Sequence, residues 1–197
     1  MTATTAVPGT LGIVGLGFMG ASLARSVRRV APGARIVAVE PREEIRARAV
    51  RERVADEALA APGPALAACD LVVLCTPVGT IEGLLEPVSM HMKDGAILSD
   101  VGRTKQGVVA RARERVRPGV AFVGAHPLFG GPGGYDGARD DGWIGGTVAV
   151  CTEGDPGPIR RVSALHAALG AQVRLCTAAE NDAGAPEAVP VAGEQRP

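Results

Sequence analysis

The stretch "LGIVGLGFMGASLARSV", residues 11–27, joins a short apolar run to a helical pattern through a loop with three glycines. In dinucleotide-binding proteins a Gly-x-Gly-x-x-Gly loop permits a tight turn, lets a pyrophosphate approach the backbone, and packs the helix on the strand. The N-terminus of that helix adds N–H donors and a positive dipole. A packing turn without a ligand is the alternative interpretation. The residues predicted to contact the cofactor here are Gly15, Gly17, Phe18, Met19 and Gly20.

An acidic residue, Glu40, ends the apolar run 35–40 that comes after this helix. A carboxylate at this place accepts hydrogen bonds from the adenosine ribose and repels the 2′-phosphate of NADP. We therefore expect Glu40 to bind the ribose and NAD to be the cofactor. Arg42 leaves NADP open as the less favoured cofactor, because a guanidinium pairs well with a 2′-phosphate. A solvated charge at a helix start is the other interpretation of Arg42.

Apolar runs continue to alternate with helical patterns along most of the chain. Strands that are apolar throughout are typical of a parallel sheet covered on both faces. The sequence thus predicts an α/β domain with a doubly wound parallel sheet, a Rossmann-type NAD(P)-binding domain. The predicted strands are 11–15, 35–40, 70–77, 95–100, 120–127, 145–151 and 171–176, and the predicted helices end at 30 or cover 42–54, 79–92, 104–116 and 156–169.

The two ends of the chain differ from this pattern. Residues 1–10 are predicted to be a flexible N-terminus, and residues 11–177 the dinucleotide-binding domain. In the segment 178–197 the only large apolar residues are Val189 and Val191. Such a segment buries too little apolar surface to offset the entropy cost of ordering. We therefore expect it to be a disordered tail.

The composition narrows the function classes. The 21 basic residues balance the 21 acidic ones, and the pI is about 6.8, so no net charge favours nucleic acid. We expect a small-molecule partner. The four cysteines lie far apart without a Cys-x-x-Cys pair, which favours free thiols over a metal site. No signal-like segment and no run of about 18 apolar residues is present, so we expect a cytoplasmic protein without membrane contact.

Three segments are predicted to meet at the carboxyl edge of the sheet, where ligands bind in doubly wound domains. Thr76 and Pro77 end one strand and are expected to line the nicotinamide-side ribose, although a plain strand-end turn fits equally well. The other two segments are "SDVGRTK", residues 99–105, and "GAHPLFGG", residues 124–131. His126 is therefore placed beside the cofactor.

A neutral His126 imidazole at this edge could accept a proton from a substrate hydroxyl as hydride leaves the same carbon. Alcohol oxidation near neutral pH needs this acid–base help. The alternative is a histidine that only bonds its own loop backbone. His91 and His166 lie in helical patterns, where an exposed or packing role fits better.

Four of these segments together resemble a known family. The segments "GLGFMGASLA", "CDLVVLCTPV", "DVGRTK" and "HPLFGG", in this order and spacing, are similar to the prephenate/arogenate dehydrogenases of tyrosine biosynthesis. The resemblance covers roughly 11–182. It implies NAD(P)-dependent oxidative decarboxylation of prephenate, arogenate or an amino analogue. It also implies that His126 bonds the ring hydroxyl of the substrate and assists hydride transfer, with Pro127 and Gly130 shaping the loop.

The resemblance is incomplete at one catalytic position. The family pattern Asp-x-x-Ser-x-Lys has a serine that helps to orient substrate and histidine, and Arg103 stands there in this chain. Arg103 could bind a substrate carboxylate as a bidentate donor, or it could be an exposed loop residue. The neighbouring Thr104 is kept as a catalytic candidate. Asp100 and Lys105 match the pattern; Asp100 is counted with the cofactor-binding residues, and helix capping or charge pairing is the alternative for both.

A second departure concerns the domain that comes after the nucleotide domain in this family. The resemblance implies an all-helical domain that forms the dimer and contributes to the substrate site, and its helices do not appear in the sequence. A truncated product, a degenerate copy, and one half of a split enzyme with a separate helical partner chain are the three alternatives that the sequence leaves open. Two competing functions stay open: a non-catalytic or partner-dependent NAD-binding module, and a β-hydroxyacid dehydrogenase-like enzyme, whose glycine loop "GLGFMG" would suit equally well but which "HPLFGG" argues against.

Overall fold

A computed structural model of the chain describes residues 6–184 and 189–190. Its main sheet contains the strands β1 (Thr10–Val14), β2 (Arg35–Val39), β3 (Glu57–Leu59), β4 (Leu71–Leu74), β5 (Ile97–Asp100) and β6 (Ala121–Val123). They lie in the order β3-β2-β1-β4-β5-β6, and every pair is parallel. Strands β1 to β3 are added toward one edge of the sheet and strands β4 to β6 toward the other. Doubly wound domains bind ligands at such a switch point, which here lies between β1 and β4. The predicted Rossmann-type fold is confirmed.

Six helices accompany the strands within the described residues: α1 (Phe18–Val30), α2 (Glu43–Arg51), α3 (Val78–Ser89), α4 (Gln106–Arg115), α5 (Pro156–Ala168) and α6 (Ala178–Gly184). Leu23 of α1 and Leu165 of α5 belong to one buried apolar layer, and Leu85 of α3 and Val108 of α4 belong to another. Both faces of the sheet are therefore covered, as its uninterrupted apolar strands require.

The alternation of side chains along β1 feeds these two layers. Leu11 and Ile13 pack in the layer of α1, whereas Val14 packs in the layer of α3 and α4. Between them, Gly12 lets β4 come close, because a Cβ atom there would lie 2.8 Å from Val72 Cγ2. The first strand thus contains a glycine for packing as well as those of the loop.

The remaining strands are β7 (Ala125–Pro127), β8 (Phe129–Gly130), β9 (Thr147–Cys151), β10 (Gln172–Cys176) and β11 (Val189–Pro190). β7, β9 and β10 form a second sheet in the order β10-β9-β7, in which β9 and β10 are parallel and β7 is antiparallel to β9. The two-residue strands β8 and β11 pair separately. The prediction of one parallel sheet running to residue 177 is therefore wrong in its last part.

The predicted strand 120–127 is divided at Gly124, where the chain leaves the main sheet for the second one. A Cβ atom on Gly124 would lie 3.1 Å from Lys105 Cδ and 3.3 Å from Cys151 Sγ. Only a glycine lets the backbone pass between these two side chains without displacing them. The apolar character of 120–127 could not show this break, because strands of both sheets are buried.

The structure also corrects the boundary at residue 178. Ala178–Gly184, predicted as the start of a disordered tail, form α6, and Ala178 and Asn181 are buried. Thr177 and Glu180 make a reciprocal capping box: Thr177 N donates to Glu180 Oε2 at 2.7 Å, and Glu180 N donates to Thr177 Oγ1 at 3.1 Å. The rest of the predicted tail, except Val189–Pro190, and residues 1–5 of the predicted N-terminus lie outside the described residues.

A buried aromatic cluster packs between α5 and the segment after β7. Trp143 is fully buried, its ring meets that of Phe129 edge to face at 5.2 Å, and its Nε1 donates to His166 Nδ1 at 2.9 Å. Burial lowers the pKa of His166 to about 4. His166 is therefore a packing residue, one of the two roles predicted for it. Within the described part of the chain, no helix is long and apolar enough to span a bilayer.

Candidate functional site

The glycine loop at the end of β1 has the shape that its sequence predicts. Gly15 has φ +92°, a left-handed conformation that favours glycine, and its N–H donates to Val39 O at 2.7 Å. A Cβ atom on Gly20 would lie 1.9 Å from Gly15 O, so only glycine lets α1 approach the strand this closely. The first and third glycines therefore build the turn itself.

Gly17 plays a different part in the loop. It is the residue before α1, and a Cβ atom on it would meet no other atom within 4 Å. The space beside Gly17 is thus open in front of a helix N-terminus, where free N–H groups and the helix dipole attract an anion. A dinucleotide pyrophosphate fits this place, and a side chain there would reduce its room.

Glu40 is 3% exposed and bonded on both oxygens. Oε2 accepts the Leu16 N–H at 2.9 Å, which ties the carboxylate to the glycine loop. Arg42 Nε donates to Oε1 at 2.7 Å and its Nη2 to Oε2 at 3.1 Å. Burial raises the pKa of Glu40, but the hydrogen bonds from Arg42 and from the Leu16 backbone outweigh it and lower the pKa overall.

The bidentate pair of Arg42 and Glu40 alters the predicted role of both residues in the ribose site. The sequence left Arg42 either as a partner of a 2′-phosphate or as a solvated charge, and the structure shows it on Glu40 instead. A ribose that bonds Glu40 must therefore replace contacts that Arg42 makes in this structure. Glu40 lies at the end of β2, as predicted, next to the loop backbone.

Thr76 lies after β4 on the opposite side of the switch point. A Cβ atom on Gly15 would lie 2.9 Å from Thr76 Cγ2, so the two strand ends are in contact. Thr76 Oγ1 is buried and has no hydrogen-bond partner in the described structure. Buried hydroxyls are normally bonded, and a ligand hydroxyl or amide would satisfy this one. Pro77 is exposed and is the residue before α3.

Asp100 and Lys105 form a fully buried ion pair, with Lys105 Nζ bonded to Asp100 Oδ2. Asp100 Oδ2 also accepts Gly102 N–H at 2.8 Å, and Oδ1 accepts Ala125 N–H at 3.3 Å. Its carboxylate is fully buried and joins the end of β5 to the start of β7, which is the charge-pairing role left open for it. That Asp100 contacts the cofactor stays a prediction.

His126 lies on β7 and is 6% exposed. Its Nδ1 is 3.0 Å from Oδ1 of Asn181 on α6. Burial lowers the pKa of His126; the Asn181 bond and Asp100 oppose this effect, and Lys105 and Arg103 add to it. The imidazole is therefore neutral near pH 7, as a proton acceptor must be.

The other two catalytic candidates are exposed. The side chains of Arg103 and Thr104 make no hydrogen bond or ion pair to any residue in the described ranges. The backbone carbonyl of Arg103 accepts Nδ2 of Asn181 at 3.0 Å. The charge of Arg103 contributes to lowering the pKa of His126, and neither the Arg103 nor the Thr104 side chain bonds the histidine in the described residues. Arg103 thus keeps a place at the site, and Thr104 gains no support.

Asn181 is the site residue that the sequence prediction missed. It is fully buried, and its helix also contributes Asp182, whose carboxylate accepts the N–H groups of Lys105 at 2.7 Å and of Gln106 at 3.0 Å. The pattern Thr-x-x-Glu at Thr177 and Glu180 signals a helix start and could have revealed α6. Its contact with His126 has no local signal, because the two residues are 55 positions apart.

The glycine-rich loop after His126 crosses the carboxyl edge toward α1. A Cβ atom on Gly131 would lie 2.6 Å from the Phe18 ring, so the loop is in contact with the start of α1. Farther on, Tyr135 is buried, lies under the guanidinium groups of Arg25 and Arg48, and donates to Glu52 Oε2 at 3.0 Å. The segment therefore connects His126 with the dinucleotide loop and packs against α1, so it is more than a reversal of chain direction.

The family comparison matches this geometry. A family model for the nucleotide-binding domain of prephenate dehydrogenase matches residues 23–175. The chain belongs to this family. The resemblance inferred from the four motifs is thereby confirmed. In the residues that the structure covers, no group of three or more His, Cys, Asp or Glu side chains is arranged to hold a metal ion.

Two curated relatives illustrate the similarity. The prephenate dehydrogenase of Lactococcus lactis subsp. cremoris is 31% identical over 120 residues, which are 60% of this chain and 33% of that protein. The 4-amino-4-deoxyprephenate dehydrogenase of Streptomyces pristinaespiralis is 34% identical over 125 residues, which are 61% of this chain and 39% of that protein. The match therefore spans well under half the length of these relatives.

Solved structures agree with the fold. Synechocystis arogenate dehydrogenase has a TM-score of 0.80 and 31% identity, and the match covers 88% of this chain and 61% of that one. The prephenate dehydrogenase of A. aeolicus, solved with hydroxyphenyl propionate and NAD+, has a TM-score of 0.80, 25% identity and the same coverage. A 3-hydroxyisobutyrate dehydrogenase of Salmonella typhimurium has a TM-score of 0.65 at 22% identity, a likeness of fold alone.

Proposed function

We propose that this chain is the NAD-binding half of a dehydrogenase that oxidatively decarboxylates prephenate, arogenate or the 4-amino analogue of prephenate. The observation that carries the proposal is the neutral, buried His126 at the carboxyl edge, joined by one continuous loop to the Gly15–Gly20 turn. Family membership and the names of the relatives support the same reaction class.

NAD, when bound, supplies the hydride acceptor. With prephenate or arogenate, His126 takes the proton of the substrate's ring hydroxyl through Nε2 as the ring carbon loses hydride, which leaves a carbonyl. In the 4-amino analogue the ring amino group takes the place of the hydroxyl in both proton transfers, and an imine forms instead of a carbonyl. The bond to the ring carboxylate then breaks, its electron pair makes the ring aromatic, and carbon dioxide leaves. His126 returns the proton to the oxygen, so the imidazole is unchanged at the end of the reaction.

The cofactor is held by the residues around the switch point. The open space at Gly17 suits the pyrophosphate, and the unpartnered Thr76 hydroxyl suits the nicotinamide-side ribose. Glu40 favours NAD over NADP, because its buried carboxylate repels a 2′-phosphate. Arg42 moves away from Glu40 when the adenosine ribose binds.

Arg103 is proposed to bind a carboxylate of the substrate. Its guanidinium has no hydrogen-bond or ion-pair partner among the described residues, and it is close enough to His126 to lower its pKa. A bidentate bond to a carboxylate suits a free guanidinium. Replacing Arg103 by glutamine should raise the KM for prephenate and leave the affinity for NAD unchanged.

The rest of the substrate site is proposed to come from the helical part of the family enzymes, whether on the same polypeptide or on a separate chain. We propose that the partner of this chain is its small-molecule substrate and not a nucleic acid. Four cysteines without disulfides suit a reducing cytoplasm.

Isothermal titration with NAD and NADP, followed by an NADH absorbance assay with prephenate and arogenate, tests this proposal. The assay is run with and without the helical part of a relative. NAD binding and NADH formation are expected. NAD binding without NADH formation in either assay would favour the non-catalytic NAD-binding module. Absence of NAD binding would contradict both the dehydrogenase and the module. His126→Asn is the matched control, since it should bind NAD but form NADH about 10²- to 10⁴-fold more slowly.

A further inference from the structure

Arg103 stands where the resemblance implies an orienting serine, and its exposed side chain makes no bond to His126 among the described residues. We propose that Asn181 of α6 is the positioning residue that fixes the tautomer of His126, an inference that rests on the proposed role of this histidine. The helix that carries Asn181 thereby becomes a working part of the site rather than the beginning of a tail.

The orientation of the Asn181 amide is determined by its neighbours. Its Nδ2 lies 3.0 Å from Arg103 O and 2.8 Å from Asp182 Oδ1, and both of these atoms only accept hydrogen bonds. The amide nitrogen must therefore be on that side, and the amide oxygen faces His126 Nδ1 at 3.0 Å. An amide oxygen accepts only, so the proton of the neutral imidazole is on Nδ1.

This proton placement decides what the other ring nitrogen can do. With Nδ1 protonated, Nε2 carries the lone pair and can accept a proton from a substrate hydroxyl. In the opposite tautomer Nε2 would carry a proton and could not act as a base. The Asn181 oxygen thus selects the reactive form of His126 before substrate binds.

The surrounding charges act on the same ring and do not replace this bond. Lys105 and Arg103 oppose protonation of His126, and Asp100 favours it. No direct bond between His126 and any of these three residues is present in the described structure. Asn181 is therefore the contact that distinguishes one ring nitrogen from the other.

The chain contains its own reference for the measurement. Trp143 Nε1, which only donates, bonds His166 Nδ1, so a neutral His166 must carry its proton on Nε2. His126 and His166 are thus expected to be opposite tautomers in one molecule. Two-bond ¹H–¹⁵N spectra of the imidazole rings in the full chain distinguish the two forms, and His126→Gln assigns the signals.

The first result expected is an Nδ1-protonated His126 in the unmodified chain, beside an Nε2-protonated His166. Asn181→Leu removes the acceptor at similar volume and should move His126 toward the Nε2-protonated form, which free imidazole side chains prefer. Asn181→Asp keeps an acceptor but adds a negative charge, so His126 should stay Nδ1-protonated and titrate about one pH unit or more higher.

Glu180→Ala is the matched control, because Glu180 caps α6 itself through Thr177 and makes no bond to His126 or Asn181. It should lower the melting temperature and leave the tautomer of His126 unchanged. An Nε2-protonated His126 in the unmodified chain would overturn the proposal, and this measurement needs no variant to fold. An unchanged tautomer in a folded Asn181→Leu chain, with His166 as the folding reference, would also overturn it.

Kinetics supply a separate readout. With turnover established, Asn181→Leu should lower kcat by about 10²-fold, the cost of a misplaced catalytic group, and leave the KM for NAD unchanged. Absence of turnover in the unmodified chain, with the helical part of a relative supplied, would count against the proposed function. The tautomer of His126 would still be measured, so the two ideas can fail separately.

Discussion

The nucleotide loop, residues 15–20, and the corner around His126 lie at the same edge of the sheet but are built in different ways. The corner consists of residues 100–105, β7 and α6. The loop depends on glycines within one turn, and its longest side-chain tie, Leu16 N–H to Glu40, spans 24 positions. The corner depends on bonds from Asn181 and Asp182 that span 55 to 78 positions. A short motif can therefore specify the loop, whereas the corner exists only after the domain has folded.

This contrast predicts that the corner controls chemistry and the loop controls binding. His126→Asn should lower turnover by about 10²- to 10⁴-fold, the usual loss for a positioned acid–base group. The affinity for NAD should be unchanged, because His126 belongs to the substrate side. Single-turnover kinetics and NAD titration on the same preparation check both halves. A parallel loss of NAD affinity would show that the two regions are not separable.

Low pH should destabilise the buried cluster of Phe129, Trp143 and His166. His166 has a pKa of about 4 in the folded chain against about 6.5 when unfolded, so the unfolded state binds the extra proton. The free energy of unfolding should fall as the pH drops from about 6.5 to about 4, by about 3 kcal/mol in total, and this contribution is complete above that window.

Urea unfolding at several pH values measures this loss. His166→Gln keeps an acceptor for Trp143 Nε1 and removes the titrating group, so its stability should depend less on pH across the same window. Equal pH profiles for both proteins would mean that His166 is not the source.

Within the loop, two alanine substitutions should separate folding from binding. Gly20→Ala places a Cβ atom 1.9 Å from a backbone oxygen and should cost about 1–3 kcal/mol or more of stability. Gly17→Ala meets no atom within 4 Å and should fold normally but bind NAD more weakly. Thermal melts and NAD titrations of both variants check this pair, and equal stabilities would contradict it.

The smallest effect is expected at the ribose. Glu40→Ala should reduce the preference for NAD over NADP by about tenfold, because the repulsion of a 2′-phosphate is lost. Arg42→Ala frees Glu40 from its bidentate partner and should strengthen NAD binding slightly. Competition titrations with both cofactors measure these changes, and equal affinities for NAD and NADP in the unmodified chain would remove the argument from Glu40.

Much of the fold is predictable from local patterns. The apolar runs 35–40 and 95–100 contain β2 and β5, the run 11–15 overlaps β1, and the glycine loop lies where its flanks predict. The break at Gly124 is not predictable in this way, since it depends on Lys105 and Cys151, side chains that approach only in the packed domain. The break was missed because it depends on contacts between residues that are far apart in the sequence.

The site divides in the same way. Gly15, Gly20 and Glu40 have positions that strand ends and helix starts dictate. Asp100 matched a motif, and the structure adds that its carboxylate is buried against Lys105. A motif records which residue is present, and the packing around it decides what its side chain contacts.

The sequence by itself determined most of the alternation of strands and helices, the glycine turn and the family, because these depend on periodicity, on motifs and on backbone conformations that favour glycine. Tertiary structure alone decided that Arg42 holds Glu40, that Asp100 is enclosed and that Asn181 meets His126. Each of these is a hydrogen bond or ion pair whose geometry must be met within a few tenths of an ångström. The contact of Asn181 with His126 forms only when α6 packs against the rest of the domain. Arg42 and Glu40, and likewise Asp100 and Lys105, are close in sequence, and packing at the strand ends decides that they pair.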